Sequence, residues 1–231
     1  MNIELFNALA QKAGLTLDPA QHARLNSFLD LLLSANQRMN LTRITDRAQA
    51  EILHVADALT LLPHLPHGPH RLADVGSGGG IPGIILAIVR GDAQVVLIES
   101  TRKKADFLRA AAADLKLANV SVEPLRAEEV GRSGQRESFD VAVARAVALL
   151  PILVQWLLPL VKRGGCALAM KGPKGREELE QAHQAIKHLG GGTAVIVPAD
   201  LPGASGHVIV KIPKASRTPS RYPRHPSRAG N

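Results

Sequence analysis

A single cysteine, Cys166, stands in the whole chain, so no intrachain disulfide can form and no cysteine-rich zinc site can be built. A cytoplasmic compartment follows as the expectation, and the Asn40-Leu41-Thr42 glycosylation pattern is then idle. Cys166 itself falls in an apolar run, Gly165 to Met170, that reads as a strand holding a buried, inert thiol. Aromatic residues make up only 3%, which leaves few side chains to stack on a ligand ring. Long apolar runs are missing too. The longest, Val147 to Val161, is interrupted by Pro151, Gln155 and Pro159 and is too short and too broken to cross a bilayer. Met1-Asn2-Ile3-Glu4 lacks the basic start of a secretory signal, and Gln11 and Lys12 break the stretch behind it. The 231 residues, with 45% apolar content, can bury a full core as one domain with an appendage or as two small ones.

Charge is present but uneven. The formal net charge is +8, and residues 211–231 supply Lys211, Lys214, Arg217, Arg221, Arg224 and Arg228 without one acidic residue. Pro213, Pro219, Pro223 and Pro226 argue against helix or central strand there. Residues 213–231 therefore read as a flexible basic tail suited to a polyanion such as nucleic acid, or as a solubilising tail without a partner.

Three helical segments open the chain over residues 1–64. The second is the best marked, started by Asp18-Pro19 and carrying Leu25, Phe28, Leu29 and Leu32 at helical spacing. The third runs from about Asp46 to Leu62, with Ile52, Val55, Ala56 and Leu59 on one face and His54 and Asp57 on a flank away from it. His54 and Asp57 read equally as a structural pair and as a substrate-side pair. His64, His67 and His70 sit in a proline- and glycine-broken linker, where a solvent-exposed connection is favoured over a metal site. From 65 to 212 strands alternate with helices, near 71–75, 94–99, 119–123, 139–143, 165–170, 193–197 and 207–212. That is an α/β pattern with a largely parallel sheet, and the last two strands predict one antiparallel edge.

The informative stretch is Leu72-Ala73-Asp74-Val75-Gly76-Ser77-Gly78-Gly79-Gly80-Ile81-Pro82-Gly83, a strand, a glycine turn and the start of a helix. Glycines at such a turn let the chain bend sharply and let a bulky ligand approach. Glu99, closing the next strand, can accept hydrogen bonds from both hydroxyls of a ribose, so a nucleoside site is expected. Counted from Gly78 the loop fits the dinucleotide pattern and an NAD-dependent oxidoreductase. Counted from Asp74 it resembles motif I of the S-adenosylmethionine (SAM) methyltransferases. The second frame gives Asp74 a role in ordering the loop and attracting a sulfonium, and Pro82 lacks an N–H that a pyrophosphate would use.

Further motifs extend the likeness over nearly the whole chain. They are Asn40-Leu41-Thr42, Ile52-Leu53-His54 with Asp57-Ala58-Leu59, Arg102-Lys103-Lys104 with Phe107-Leu108, Phe139-Asp140 with Arg145-Ala146, Lys171-Gly172, and Arg221-Tyr222-Pro223-Arg224. Together these residues resemble the small-subunit ribosomal RNA methyltransferase G family, formerly called glucose-inhibited division protein B. The resemblance implies a Rossmann-like class I SAM-dependent methyltransferase fold, a mostly parallel seven-stranded sheet behind an N-terminal helical extension. It implies methyl transfer from SAM to N7 of a guanine (position 527, in the 530 loop) of 16S rRNA in the small ribosomal subunit; the alternatives are the NAD-dependent oxidoreductase and a non-catalytic RNA-binding protein on a methyltransferase fold. By the resemblance Gly76 and Ile81 are loop contacts to SAM, Glu99, Ser100 and Thr101 the ribose side, and Ala127 and Glu128 the adenine side. Arg145 borders cofactor and substrate. Asp74 and Gly78 join the cofactor set from the loop pattern. The ending Ser227-Arg228-Ala229-Gly230-Asn231 departs from the lysine-rich finish of longer members. No metal, membrane or obligate protein partner is implied, and a monomer is expected.

The residues agree with an N7 acceptor. Enzymes acting on exocyclic amines commonly carry Asp/Asn-Pro-Pro-aromatic after the fourth strand, where this chain has Ala144-Arg145-Ala146-Val147. Pyrimidine C5 chemistry needs a cysteine nucleophile. Guanine N7 loses no proton on methylation, so alignment and electrostatics suffice, and Arg145 is the candidate catalytic residue. Arg145 reads alternatively as structural, paired with Asp140 or Asp74. Arg102, Lys103 and Lys104 oppose the positive end of a helix dipole, which fits either a solvated helix end or RNA phosphates. Lys171, Lys174 and Arg176 continue that surface, and Arg102, Lys103, Lys171, Arg221 and Arg224 are the expected RNA contacts.

Overall fold

Runs such as Val95-Val96-Leu97-Ile98 have no polar face, so a sheet built from them must be covered on both sides. The computed structural model describes residues 1–203 and 205–224. Seven strands form one sheet: β1 (His70–Val75), β2 (Ala93–Ile98), β3 (Val120–Glu123), β4 (Phe139–Arg145), β5 (Val161–Lys171), β6 (Val195–Pro198) and β7 (Val208–Pro213). Their order is β3-β2-β1-β4-β5-β7-β6. All neighbours pair in parallel except β7, which runs antiparallel to both β5 and β6. The antiparallel strand is thus not the edge, as expected from the sequence, but is inserted between β5 and the true edge, β6. No helix lies between β6 and β7 among the described residues, which suits an antiparallel pair, whereas each parallel connection passes through a helix.

The helices are α1 (Ile3–Gln11), α2 (Pro19–Met39), α3 (Arg47–Ala50), α4 (Asp57–Leu59), α5 (Gly83–Val89), α6 (Arg102–Asp114), α7 (Ala127–Val130), α8 (Leu150–Leu157) and α9 (Gly175–His188), with a π-helical turn at Glu51–Ala56. Asp18 caps α2, accepting from Gln21 N–H at 2.7 Å while Gln21 Oε1 accepts from Asp18 N–H at 3.0 Å. Alternate residues of the strands face opposite layers. Leu72, Val95, Leu97, Val141 and Val143 join Phe6, Phe28, Leu29, Leu32 and Ile84 in one core. Ala73, Val75, Val96, Ile98 and Ala142 join Leu153, Leu157, Leu179 and Ile186 in the other. The N-terminal helices therefore cover one face of the sheet and share its core.

Two sequence expectations change here. The third helical segment passes from α3 through the π turn into α4, and residues 54–59 are buried without interruption, including His54 and Asp57. Such i→i+5 turns are uncommon and concentrate at functional sites. His70 is not part of an exposed linker; it opens β1, is buried, and its Nδ1 lies 2.8 Å from the Gly68 carbonyl.

The tail is also not a free arm where it is described. Lys211 lies in β7. Lys214 is fully buried, with Nζ donating to Leu158 O and Thr218 Oγ1 and lying 3.3 Å from Glu137. Thr218 N–H donates to Glu137 Oε1 at 2.7 Å, and its hydroxyl donates to Leu189 O at 2.7 Å. Arg136 donates to the carbonyls of Thr218 and Tyr222 at 2.7 and 2.6 Å, and Arg132 to that of Pro223. Prolines give up N–H groups but keep carbonyls, and these arginines satisfy them. Glu137 and Leu158 precede β4 and β5, so residues 214–224 are stapled to the edge where the parallel strands begin. Pro226, Arg228 and the departing ending lie outside the described residues.

Lys214→Ala strands Glu137 and two further acceptors in a buried place, so a loss of about 2–4 kcal/mol is expected. Urea unfolding measures it, and a loss below about 0.5 kcal/mol, ordinary for a surface change, would restore the solvated-tail reading.

Candidate active site

The strand order reverses between β1 and β4, and a cleft opens at the C-terminal ends of the strands, as the doubly wound topology predicts. It measures about 430 Å³ and is lined by the glycine loop, Glu99, Ser100, residues 125–128 and Arg145 to Val147, with Trp156 on one wall. Beneath it, Asp74 closes the loop from below: its Oδ2 accepts Gly83 N–H at 3.0 Å, tying the end of β1 to the start of α5. Gly76 turns at φ +69, and a Cβ there would meet Val147 at 2.8 Å. Gly78 turns at φ +54, and a Cβ there would meet only the Gly76 carbonyl oxygen at 3.8 Å, so the backbone angle and not crowding favours glycine.

Glu99 is buried on the far wall. Its Oε2 accepts Gly78 N–H at 3.0 Å and its Oε1 accepts Thr101 N–H at 2.7 Å. Each oxygen keeps a lone pair for a hydroxyl donor. The residues thus fit the nucleoside end of SAM: a buried carboxylate bonded to the glycine loop and lining the same cleft, with buried Ala127 and Glu128 on its wall. They fit NAD poorly. Pro82 has no N–H, Gly83 N–H is held by Asp74, and Ile84 N–H donates to Gly80 O at 2.8 Å. The start of α5 therefore offers no free amide to a pyrophosphate, and the oxidoreductase frame is overturned.

Gly76, Gly78, Ile81, Glu99, Ser100, Ala127, Glu128 and Arg145 all line the cleft; Asp74 and Thr101 do not. Asp74 lies under the loop, 1% exposed, and burial pushes its carboxyl up to about 7 against the opposing Gly83 N–H. Its Oδ1 has no hydrogen-bond partner.

Arg145 ends β4 and is neither paired with Asp140 nor with Asp74. Asp140 accepts from Lys162 and from Arg71 N–H instead. Arg145 Nη1 donates to Leu53 O at 2.6 Å and lies 3.4 Å from Asp57 Oδ2, and Nη2 lies 3.1 Å from His54 Nδ1. His54 Nε2 is 2.9 Å from Thr42 Oγ1, and Asp57 Oδ1 is 3.4 Å from His207 Nδ1. Burial, then the Arg145 charge, lowers the His54 imidazole to about 4. Burial also lowers the Arg145 guanidinium, while Asp57 and Asp74 hold it up. Sequence reasoning left His54 and Asp57 open and did not connect them to Arg145.

The expected RNA contacts separate. Arg102 and Lys103 are exposed at the start of α6, and Lys104 lines the cleft. Lys171 is a correction: its side chain is 7% exposed, with the ammonium 2.7 Å from Glu178 and donating to Ala148 O at 2.6 Å, so it closes the β5–α9 corner instead of facing RNA. Arg221 and Arg224 lie over the Tyr222 ring at 5.5 and 5.7 Å and do not line the cleft. Cys166 is partly buried in β5, and burial pushes its thiol up. Among the described residues no cluster of His, Cys, Asp or Glu could hold a metal, and no helix is long and apolar enough to cross a membrane.

Sheet order, glycine loop and carboxylate wall together define a Rossmann-like class I methyltransferase. Solved structures carry the same fold. A predicted O-methyltransferase from Agrobacterium tumefaciens aligns with TM-score 0.51 at 20% identity, over 71% of this chain and 80% of that one. A T. Thermophilus 16S rRNA N2 G1207 methyltransferase in complex with AdoMet and guanosine aligns with TM-score 0.50 at 17% identity, over 67% and 37%. The chain belongs to the rRNA small subunit methyltransferase G family, whose model matches residues 21–199. The ribosomal RNA small subunit methyltransferase G of Moorella thermoacetica is 43% identical over 225 residues, 96% of this chain and 94% of that protein. That of Sorangium cellulosum is 43% identical over 212 residues, 91% and 87%.

The two buried titrations have opposite signs. Asp74 holds its proton more tightly folded, about 7 against 3.8, so its contribution is complete at low pH and is lost as pH rises through 7. His54 holds its proton less tightly folded, about 4 against 6.5, so its contribution is present above 6.5 and lost as pH falls toward 4. Asp74→Asn keeps an oxygen for Gly83 N–H and removes the first dependence. Relative to the parent it should gain stability from pH ~5 to ~8, by at most about 2.5 kcal/mol. Unfolding curves at the two pH values test this; parallel behaviour of both proteins would count against a protonated Asp74.

Proposed function

We propose that this methyltransferase transfers a methyl group from SAM to N7 of a guanine of 16S rRNA, the 530-loop guanine at position 527, acting in the cytoplasm as a monomer without a metal. Bound in the cleft, SAM supplies an electrophilic methyl on a sulfonium. The observation that carries the choice of acceptor is that every group in contact with Arg145 is already committed. His54 faces Arg145 with one ring nitrogen and Thr42 with the other, and Asp57 lies between Arg145 and His207. None stands free as a general base, and N7 needs none, because its lone pair lies in the ring plane and carries no proton.

The chain's own residues then have separable tasks. Glu99 and the Gly76–Gly80 loop fix the nucleoside of SAM. Trp156, the one tryptophan, and the pair Ala127 and Glu128 frame the adenine side. Arg145 has five N–H donors, three of them committed, and a remaining one suits guanine O6; donation to N7 would occupy the nucleophilic lone pair. Arg102, Lys103 and Lys104, without ion pairs among the described residues, suit the phosphates beside the target base.

The deciding experiment incubates the protein with small ribosomal subunits and labelled SAM, followed by borohydride and aniline cleavage, which cuts RNA at N7-methylguanine. A single cut in the 530 loop is expected; label that resists cleavage, or a cut elsewhere, would overturn the acceptor. Glu99→Ala should weaken SAM binding about 10- to 100-fold, the worth of one or two charge-assisted hydrogen bonds, with RNA affinity unchanged. Trp156 fluorescence reads this directly. An unaltered SAM dissociation constant would remove Glu99 from the binding site.

A further inference from the structure

We propose that Thr42, His54 and Asp57 are positioning residues: a hydrogen-bonded chain reaching from the N-terminal helical layer that fixes where the Arg145 guanidinium points, and with it the angle at which the acceptor base meets the methyl group. The inference rests on the reading above that Arg145 borders the acceptor.

Chemistry decides the direction of every bond in the chain. A guanidinium only donates, so His54 Nδ1, 3.1 Å from Arg145 Nη2, must be the acceptor and carry no proton. The ring proton is then on Nε2 and donates to Thr42 Oγ1 at 2.9 Å. Thr42 Oγ1 also accepts Ile44 N–H at 3.1 Å, which orients it with its lone pairs toward the loop and the imidazole. The Leu53 carbonyl lies 3.1 Å from Nδ1 but receives Arg145 Nη1 at 2.6 Å. A protonated His54 would set N–H against N–H and add a second positive charge, and its burial opposes that state.

A counter-ion for a buried arginine needs only Asp57. The neutral acceptor adds no charge; it adds a direction. Leu53, His54 and Asp57 meet three of the five N–H groups from one side, and the π turn at Glu51–Ala56 is the segment that presents them. What remains for substrate is a guanidinium already in place, which is the condition for transition-state electrostatics without reorganisation.

The test compares two amides at one position. In His54→Asn the carboxamide oxygen stands near Nδ1 and can still accept from Arg145; in His54→Gln the longer amide reaches toward Thr42 and leaves Arg145 without that acceptor. His54→Asn should keep kcat within about threefold, while His54→Gln should lose about tenfold or more, with SAM affinity within about threefold in both. Thr42→Val, a half-buried and nearly isosteric change, should lower kcat a few-fold and keeps the test available if a His54 variant fails to fold. In an Arg145→Ala background, His54→Gln and Thr42→Val should cost nothing further, since both act through the missing side chain. Equal losses in the Asn and Gln variants that follow thermal stability would make the chain mere packing and overturn the proposal, as would full additivity with Arg145→Ala. A slow Arg145→Ala enzyme beside a fast His54→Gln enzyme overturns this inference alone. An Arg145→Ala enzyme with parental turnover overturns both it and the reading of Arg145 on which it rests.

Discussion

The hydrogen bond from Gly83 N–H to the buried Asp74 carboxylate is the constraint on which the site is built. It pins the first turn of α5 to the last residues of β1, and the intervening loop must then fold outward over it. Gly83 has no alternative occupant, because a Cβ would stand 2.3 Å from Leu97 and 2.6 Å from Asp74 Oδ2. Ser77 reinforces the turn by donating to Asp74 O at 2.8 Å. With the loop so placed, Gly78 N–H reaches Glu99 across the gap between β1 and β2, and both walls of the nucleoside site are set by one backbone geometry. The cost is a carboxylate far from water, tolerated because burial favours its protonated form.

A second constraint comes from the opposite direction in the chain. The N-terminal helices complete a hydrophobic layer and also supply the groups that surround Arg145. Thr42, Leu53, His54 and Asp57 come from the segment before β1, Arg145 from the end of β4, and His207 from the turn before β7. The helical layer and the surroundings of Arg145 are therefore packed as one unit. The layer is an integral wall of the site, not an accessory laid against a finished sheet.

Much of this could be read in the sequence, and the limits are physical. Strands announce themselves as short unbroken apolar runs, and the glycine loop with Glu99 is local, held within one strand-turn-helix unit and its neighbour. The antiparallel insertion of β7 depends on pairing partners that a linear pattern does not name. His54 and Asp57 were ambiguous because their partner lies 88 to 91 residues away, and because a π turn buries positions that an α-helical count assigns to a flank. Lys171 and Lys214 misled for a shared reason: a lysine in a basic stretch looks solvated until a carboxylate from elsewhere, Glu178 or Glu137, is brought to it. Glu178 in the first turn of α9 was the one signal within reach.

The stapled segment after β7 has a practical consequence. It runs along the edge where the parallel strands begin, held by Arg132 and Arg136, while the cleft opens at their other ends. Arg136 alone donates to the carbonyls of Thr218, Pro219 and Tyr222, so the segment is fastened by one side chain at three points and loosens as a unit when that side chain is lost.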